Sequence, residues 1–258
     1  FKSRARESPL FMASIIRKRI SKKITKALFD FPMIEPGDRV LVGASGGKDS
    51  TALLLSLYDR LGKFGAPFEL AALNIQSDFG DKAPRKFVRS LQETMTIPFY
   101  YLDVAIEARL KENRHLNCYW CSTQRRTELI RFARENGFNK IALGHHLDDI
   151  IETLLMNMLY KGEFSGMPPF VPYEKYPVSV IRPLCYCEES EIIDFIKDLD
   201  LSCPACNCGV SLNSNRLHIR RQIELLTEGK SSFKRNLFES MRHIQMDYLL
   251  NSPPKEEI

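Results

Sequence analysis

The chain has 258 residues, 44 % hydrophobic and 27 % charged, which suits one substantial α/β domain with a helical appendage, or two small domains, and excludes a disordered or fibrous chain. A formal net charge of +5 tolerates an acidic partner without naming one. Seven cysteines, no signal-peptide pattern in front and no apolar run of membrane-spanning length point to a reducing cytoplasm without membrane attachment, where grouped cysteines mean metal or thiol chemistry.

In chain order, Ile15, Ile16, Ile20, Ile24, Ala27 and Leu28 recur at helical spacing, while Arg17, Lys18, Arg19, Lys22, Lys23 and Lys26 largely cover the other faces. This basic helix packs its isoleucines on the main domain, lies against nucleic acid, or does both. Pro32 and the turn Glu35-Pro36-Gly37-Asp38 end it. Arg39 to Val42 then reads as a buried strand, and Ala52 to Leu57 are helix formers, so a helix starts near Lys48.

Between strand and helix lies Ala44-Ser45-Gly46-Gly47-Lys48-Asp49-Ser50-Thr51. The glycines let the backbone turn tightly and aim N–H groups at an anion. The helix N-terminus adds partial positive charge, and Ser45, Ser50 and Thr51 add hydroxyl donors. A bare Gly-Gly connection would need none of these groups, so the turn reads as a phosphate site. It is no Walker loop, because three residues separate Gly43 from Gly47 and Asp49 follows Lys48, and it lacks the third glycine of a Rossmann turn. Ser45 to Ser50 resembles, without mismatch, the pyrophosphate loop of the ATP pyrophosphatases. That resemblance implies adenylation of a carbonyl-like oxygen by ATP, release of pyrophosphate and displacement of AMP by a nucleophile, with Lys48 and Asp49 as catalytic residues.

Strands and helices go on alternating. Strands are expected at Glu69–Asn74, Phe99–Val104 and Lys140–Leu143, with helices from Pro84 to about Thr94, from Cys121 to Asn136 and from Asp148 to Tyr160. The alternation predicts an α/β fold: a parallel sheet with helices on both faces, whose ligand sits at the carboxyl ends of strands, where Ser45, Asn74 and Gly144 gather. Gly166 to Pro177 reads as a loop, Val178–Ile181 as a fifth strand and Glu188–Leu199 as a helix. An irregular stretch from Cys203 to Asn215 precedes helices over His218–Thr227 and Phe233–Tyr248, and the tail from Ser252 is loose. The expected organisation is an N-terminal helical region (1–36), an ATPase domain (37–200) and a cysteine-containing helical segment packed on it (201–258).

Two further groups carry chemistry. Gly144-His145-His146-Leu147-Asp148-Asp149 joins the fourth expected strand to a helix, and its imidazoles and carboxylates suit Mg²⁺-nucleotide chemistry, although either Asp could simply cap the helix. Cys118-Tyr119-Trp120-Cys121 is a C-x-x-C followed by Arg125 and Arg126, and Cys203, Cys206 and Cys208 come much later. Spacing leaves a four-cysteine Zn²⁺ site and an iron–sulfur cluster equally open. Cys185 and Cys187 read as small buried side chains.

Several blocks resemble the tRNA 2-thiocytidine synthetase family, in order from about Ile24 to about Met246. They are Phe31 to Arg39 running into the loop, Cys118-x-x-Cys121-Ser122-x-x-Arg125-Arg126, Ile141 to His146 with Asp148-Asp149, and Gly166-Met167-Pro168-Pro169. Ile181 to Leu184 with Tyr186-Cys187, and Cys208-Gly209 with Asn213 and Arg216, complete the set. The resemblance implies an adenine nucleotide alpha hydrolase-like (Rossmann-like) fold and an ATP-dependent tRNA sulfurtransferase that adenylates C2 of cytidine 32 and replaces its oxygen with sulfur. It implies ATP and Mg²⁺ held by Ala44 to Thr51, Asn74, Gly144, His145, Asp148 and Asp149, and a [4Fe-4S] cluster on Cys118, Cys121 and Cys208, with Cys206 as the alternative third ligand. A sulfur donor such as a cysteine desulfurase and a homodimer are expected with it. The family has C-x-x-C-G where this chain has Cys206-Asn207-Cys208-Gly209, and the amino-terminal region is shorter than the family's. Basic residues Arg125, Arg126, Arg216, Arg220 and Arg221 are candidates for tRNA phosphate contacts. The rival functions are a zinc-containing ATP pyrophosphatase that forms an amide or amidine, a tRNA 2-thiouridine synthetase, and a non-catalytic RNA-binding protein.

Overall fold

The computed structural model describes residues 15–63, 65–79, 81–110, 115–173, 175–204 and 215–249. The expectations for Cys206, Cys208, Gly209, Asn213 and the tail from Ser252 lie outside them. Six strands form one sheet in the order β3-β2-β1-β4-β6-β5. β3 (Phe99–Val104) forms one edge and β5 (Phe170–Pro172) the other, with β2 (Glu69–Ser77), β1 (Arg39–Gly43), β4 (Lys140–Ala142) and β6 (Ser179–Ile181) between them. Neighbours pair in parallel except β5 with β6. The wholly parallel sheet expected from sequence is therefore corrected at its edge, where part of the expected loop returns as an antiparallel strand. Pro172 has no N–H to offer a further strand, which suits an edge.

Both sheet faces are covered. Val40 and Val42 face one apolar cluster and Leu41 the other, as the two-residue period of a strand requires. The larger cluster is built by α1 (Ile15–Asp30), α2 (Lys48–Tyr58), α5 (Leu147–Lys161) and α6 (Glu189–Asp198). It also takes in Ile219 and Ile223 of α7 (Asn215–Thr227), Phe238 of α8 (Ser231–Ser240) and Val88 of α3 (Ala83–Gln92). Beneath the other face, α4 (Cys118–Glu135) contributes Leu129 and Ala133.

Some details differ from expectation. The helix expected from Cys121 already begins at Cys118, because the Asn117 side chain caps it by accepting from the Trp120 amide at 2.8 Å. The last helix stops at Ser240, and a separate 3-10 turn covers Met246–Tyr248. The basic face of α1 is partly spent on docking. Arg17 bonds Asp198 and Lys23 bonds Glu191, both on α6, while Lys18, Arg19 and Lys22 stay exposed.

Connections run outward to β2 and β3 on one side of β1 and to β4 and β6 on the other. The strand order therefore reverses between β1 and β4, and the crevice beyond their carboxyl ends is the natural ligand position. Both motifs singled out from sequence, the glycine turn after β1 and the histidine pair after β4, open onto that crevice.

Candidate active site

The turn after β1 is held from below. The Ala44 amide donates to Leu73 O at 2.9 Å, and its carbonyl accepts from Asn74 Nδ2 at 2.8 Å. Asn74 is 2 % exposed, and its Oδ1 accepts from Arg85 Nε at 3.0 Å. The sequence placed Asn74 against the nucleotide. Both of its amide groups bond within the protein, so its side chain braces the loop. Gly46 has φ +85°, and a Cβ there would lie 2.6 Å from Pro84 O, so only glycine fits.

Gly47 is the N-cap of α2 and supplies no side-chain acceptor, which leaves the first helical amides open to an anion. Ser45 is exposed. Its Oγ lies 2.9 Å from Ser50 Oγ, which donates to Gly47 O. Gly144 closes the other side, because a Cβ there would meet the Asp49 and Ser50 backbone at 2.9 Å. Its smallness lets the end of β4 press against the loop.

Lys48 Nζ reaches Asp49 Oδ2 at 3.1 Å and Glu189 Oε1 at 2.7 Å. Burial alone would lower the Lys48 pKa, but Glu189 and Asp49 outweigh it, raise it and keep the lysine charged. Asp49 Oδ1 is buried without a hydrogen-bond partner among the described residues, and His146 Nε2 stands 3.8 Å away. Burial raises the Asp49 carboxyl above its usual range against the pull of His146 and Lys48. An orphaned, partly desolvated carboxylate oxygen beside a phosphate loop suits a hard cation.

After β4, His145 and His146 diverge. His145 Nδ1 accepts from Arg182 Nε at 3.3 Å; burial, then the Arg182 charge, lower its pKa to about 4, so the ring is neutral at physiological pH. Arg182 also bonds Pro168 O, which ties the Gly166-Met167-Pro168-Pro169 block to this histidine. His146 is 2 % exposed and is the N-cap of α5, where its own amide donates to Asp149 Oδ2 at 3.1 Å. Asp148 is engaged within the fold. Its Oδ2 accepts from the Glu189 amide at 2.7 Å and its Oδ1 meets Lys234 Nζ at 3.2 Å, so it staples α5 to α6 and α8.

Arg216 and Arg220, expected to contact tRNA, turn toward this acidic cluster. Arg220 Nε bonds Glu152 Oε1, Arg220 Nη1 lies 3.7 Å from Glu189 Oε2, and Arg216 Nη1 lies 3.9 Å from Asp149 Oδ1. Glu152 is 1 % exposed, and burial raises its pKa against the opposing charges of Arg220 and Arg216. Arg221 is exposed on α7. Sequence reading named none of Glu152, Glu189 or Arg182 for a role at the site, and took in His146 only as one of the two imidazoles of the Gly144–Asp149 block.

A cavity of about 200 Å³ opens beside the loop, lined by Gly43 to Ser45, Leu73, Ile75, Leu129, Leu143 and His145, and on the α4 side by Ser122, Arg125 and Arg126. Cys118 and Cys121 lie three residues apart in the first turn of α4, immediately before that wall. A helix N-terminus favours thiolates, so the pair suits a thiolate-bound metal group. Cys203 lies outside this turn, near Thr51 and Asp49 of the loop, and burial raises its pKa. Cys185 and Cys187 are fully buried, as expected.

A family profile described as a PP-loop domain matches residues 14–225. The tRNA-cytidine(32) 2-sulfurtransferase of Legionella pneumophila (strain Paris) is 35 % identical over 245 residues, 92 % of this chain and 85 % of that protein. The enzyme of the same name from Nitrosospira multiformis is 35 % identical over 247 residues, 93 % and 82 % of the two chains. Among solved structures, the U34-tRNA thiolase NcsA from Methanococcus maripaludis with its [4Fe-4S] cluster superposes with a TM-score of 0.71 at 22 % identity, covering 89 % of this chain and 80 % of that one. NMN synthetase from Francisella tularensis gives 0.55 at 18 % identity, with 92 % and 98 % covered. At those identities the likeness is one of fold.

Proposed function

The chain belongs to the PP-loop family and, within it, to the tRNA-cytidine(32) 2-sulfurtransferases, and on that footing we propose that it uses ATP to adenylate C2 of cytidine 32 in a tRNA anticodon loop and exchanges the oxygen for sulfur. The observation that carries the reading is the shared pocket. The start of the phosphate loop lines it on one side and, on the other, Ser122, Arg125 and Arg126, which follow Cys118 and Cys121 on α4; this supports activation and sulfur delivery at one place.

The cytosine O2 is a poor leaving group until it is adenylated. The open amides after Gly47, the loop hydroxyls and Lys48 would hold the departing pyrophosphate and stabilise its growing charge. Asp49 would hold Mg²⁺ through its orphaned oxygen.

Cys118, Cys121 and a third cysteine, Cys208 or Cys206, would hold a [4Fe-4S] cluster whose open iron supplies sulfide chemistry when bound. Arg125, Arg126 and Arg221 would contact tRNA phosphates, and the target base must leave its stack to enter the pocket, which a single-stranded loop permits. The sulfur donor and a homodimer remain part of the same proposal. No helix among the described residues is long and apolar enough to cross a membrane, and a cytoplasmic site of action fits a tRNA substrate.

The test is pyrophosphate exchange into ATP together with thiolation of tRNA. Asp49→Ala should lose both while keeping its circular dichroism spectrum, and exchange at the wild-type rate would sink the phosphate-loop reading. Wild-type protein that exchanges pyrophosphate but thiolates only uridine would move the chain to the thiouridine branch.

A further inference from the structure

We propose that Arg220 is a ligand of the ATP polyphosphate rather than of tRNA, and that the Glu189 carboxylate competes with a phosphate group for Lys48 and Arg220. The inference rests on the ATP reading above and assigns that site one more residue.

The two edges of the Arg220 guanidinium are held very differently. Nε is anchored on Glu152, a carboxylate 1 % exposed inside α5 that fixes the plane of the group. Nη1 faces Glu189 Oε2 at 3.7 Å, beyond hydrogen-bond distance, so that contact is Coulombic only. The other oxygen of the same carboxylate sits on Lys48 Nζ at 2.7 Å. One anionic group thus lies between the loop lysine and an arginine whose outward edge makes no hydrogen bond to it. The arginine side chain is 43 % exposed, so a ligand can reach it.

A phosphate seated on the α2 amides meets Lys48 first. To bond Lys48 fully it must share or displace Glu189, and the next donor along that path is Arg220 Nη1. Glu189 can yield, since its backbone amide is already capped by Asp148 and only its side chain needs to turn. An arginine with one edge fixed and the other available is an efficient phosphate ligand, because little rotamer freedom is left to lose.

The experiment is titration calorimetry of the full chain with Mg²⁺-pyrophosphate, Mg²⁺-ATP and adenosine, beside tRNA binding at fixed salt. Arg220→Gln should weaken pyrophosphate and ATP about ten- to a hundredfold, the loss of one charge-assisted bond, and leave adenosine and tRNA affinity unchanged. Arg220→Lys should recover part of the loss. Glu189→Gln should tighten pyrophosphate, because the competing charge is gone. It leaves the Arg220–Glu152 pair intact, so it decides the matter should Arg220→Gln not fold. Wild-type pyrophosphate affinity in both Arg220→Gln and Glu189→Gln overturns the proposal. So does a loss confined to tRNA. If the wild-type protein binds adenosine but neither ATP nor pyrophosphate, the ATP reading itself fails first.

Discussion

Adding one methyl group at either of two adjacent glycines should have opposite effects. Gly46 has φ +85°, and a Cβ there would sit 2.6 Å from Pro84 O and 2.9 Å from Pro84 Cα and Cβ. Pro84 belongs to the first turn of α3, which Val88 and Leu91 anchor in the core, so it has little room to withdraw. The left-handed backbone costs an L-residue about 1–2 kcal/mol and overpacking about 1–3 kcal/mol, so Gly46→Ala should lose roughly 2–5 kcal/mol. Gly47 has φ −78°, and its nearest foreign atom would be Ser45 Oγ at 3.6 Å, an ordinary contact. Gly47→Ala should therefore be neutral or gain up to about 1 kcal/mol through the unfolded chain. Urea unfolding followed by circular dichroism measures both, and pyrophosphate exchange then shows that Gly46→Ala also loses loop function. Equal midpoints for the two variants would refute the reasoning.

Other outcomes follow from the same coordinates. Burial pushes the Asp78 carboxyl up, but the Glu107, Ala108 and Ile106 amides outweigh it and hold its pKa below the usual 3.8. The stability Asp78 contributes is present above that value and lost as pH falls through the lower folded pKa. Asp78→Asn should flatten the acid limb of a stability–pH curve, and an unchanged limb would exclude the carboxylate as its source. Burial pushes the Cys187 thiol to about 12 and Cys185 higher still, so mass spectrometry should find both unalkylated by iodoacetamide until the protein unfolds. If the [4Fe-4S] cluster forms, anaerobically purified protein should show its visible absorption, and alanine at Cys118 or Cys121 should remove that absorption and thiolation yet spare pyrophosphate exchange. A closed four-cysteine zinc site would instead cost several kcal/mol of stability on losing any one ligand, Cys203 included.

The strands and the loop were legible in the sequence because their signals are local. Arg39 to Val42 is a short apolar run, and the glycine pair and hydroxyls are contiguous with it. β3 begins and ends where expected, at Phe99 and Val104. β5 was not legible: three residues around a proline carry no strand period, and only pairing with β6 makes them one. The partners of the loop were hidden for a different reason. Glu189 looks like any acid in a first helical turn, and Glu152 like any residue of an amphipathic helix. Their meaning lies in folding 141 positions of chain so that Lys48 and Glu189 touch. Asn74 was placed near the loop from sequence, but its bonds to Ala44 and Arg85 were hidden, because sequence position cannot say which atoms of an amide are already engaged.

Those hidden partners explain why the visible motif can work at all. A lone lysine or arginine at a phosphate site samples many rotamers, and a ligand must first restrict them. Here several of the site's groups rest on a partner from a different element. Glu152 of α5 fixes Arg220 of α7, Arg182 after β6 orients His145 after β4, and Arg85 of α3 holds Asn74, which in turn holds the Ala44 carbonyl. Preorganisation of this kind is what lets fixed dipoles stabilise a developing charge without rearranging when it appears. It also means that the loop sequence alone is not sufficient for activity. The same eight residues grafted between another strand and helix would keep their glycine turn but lose the braces on Ala44, His145 and Arg220, and with them most of the site's geometry.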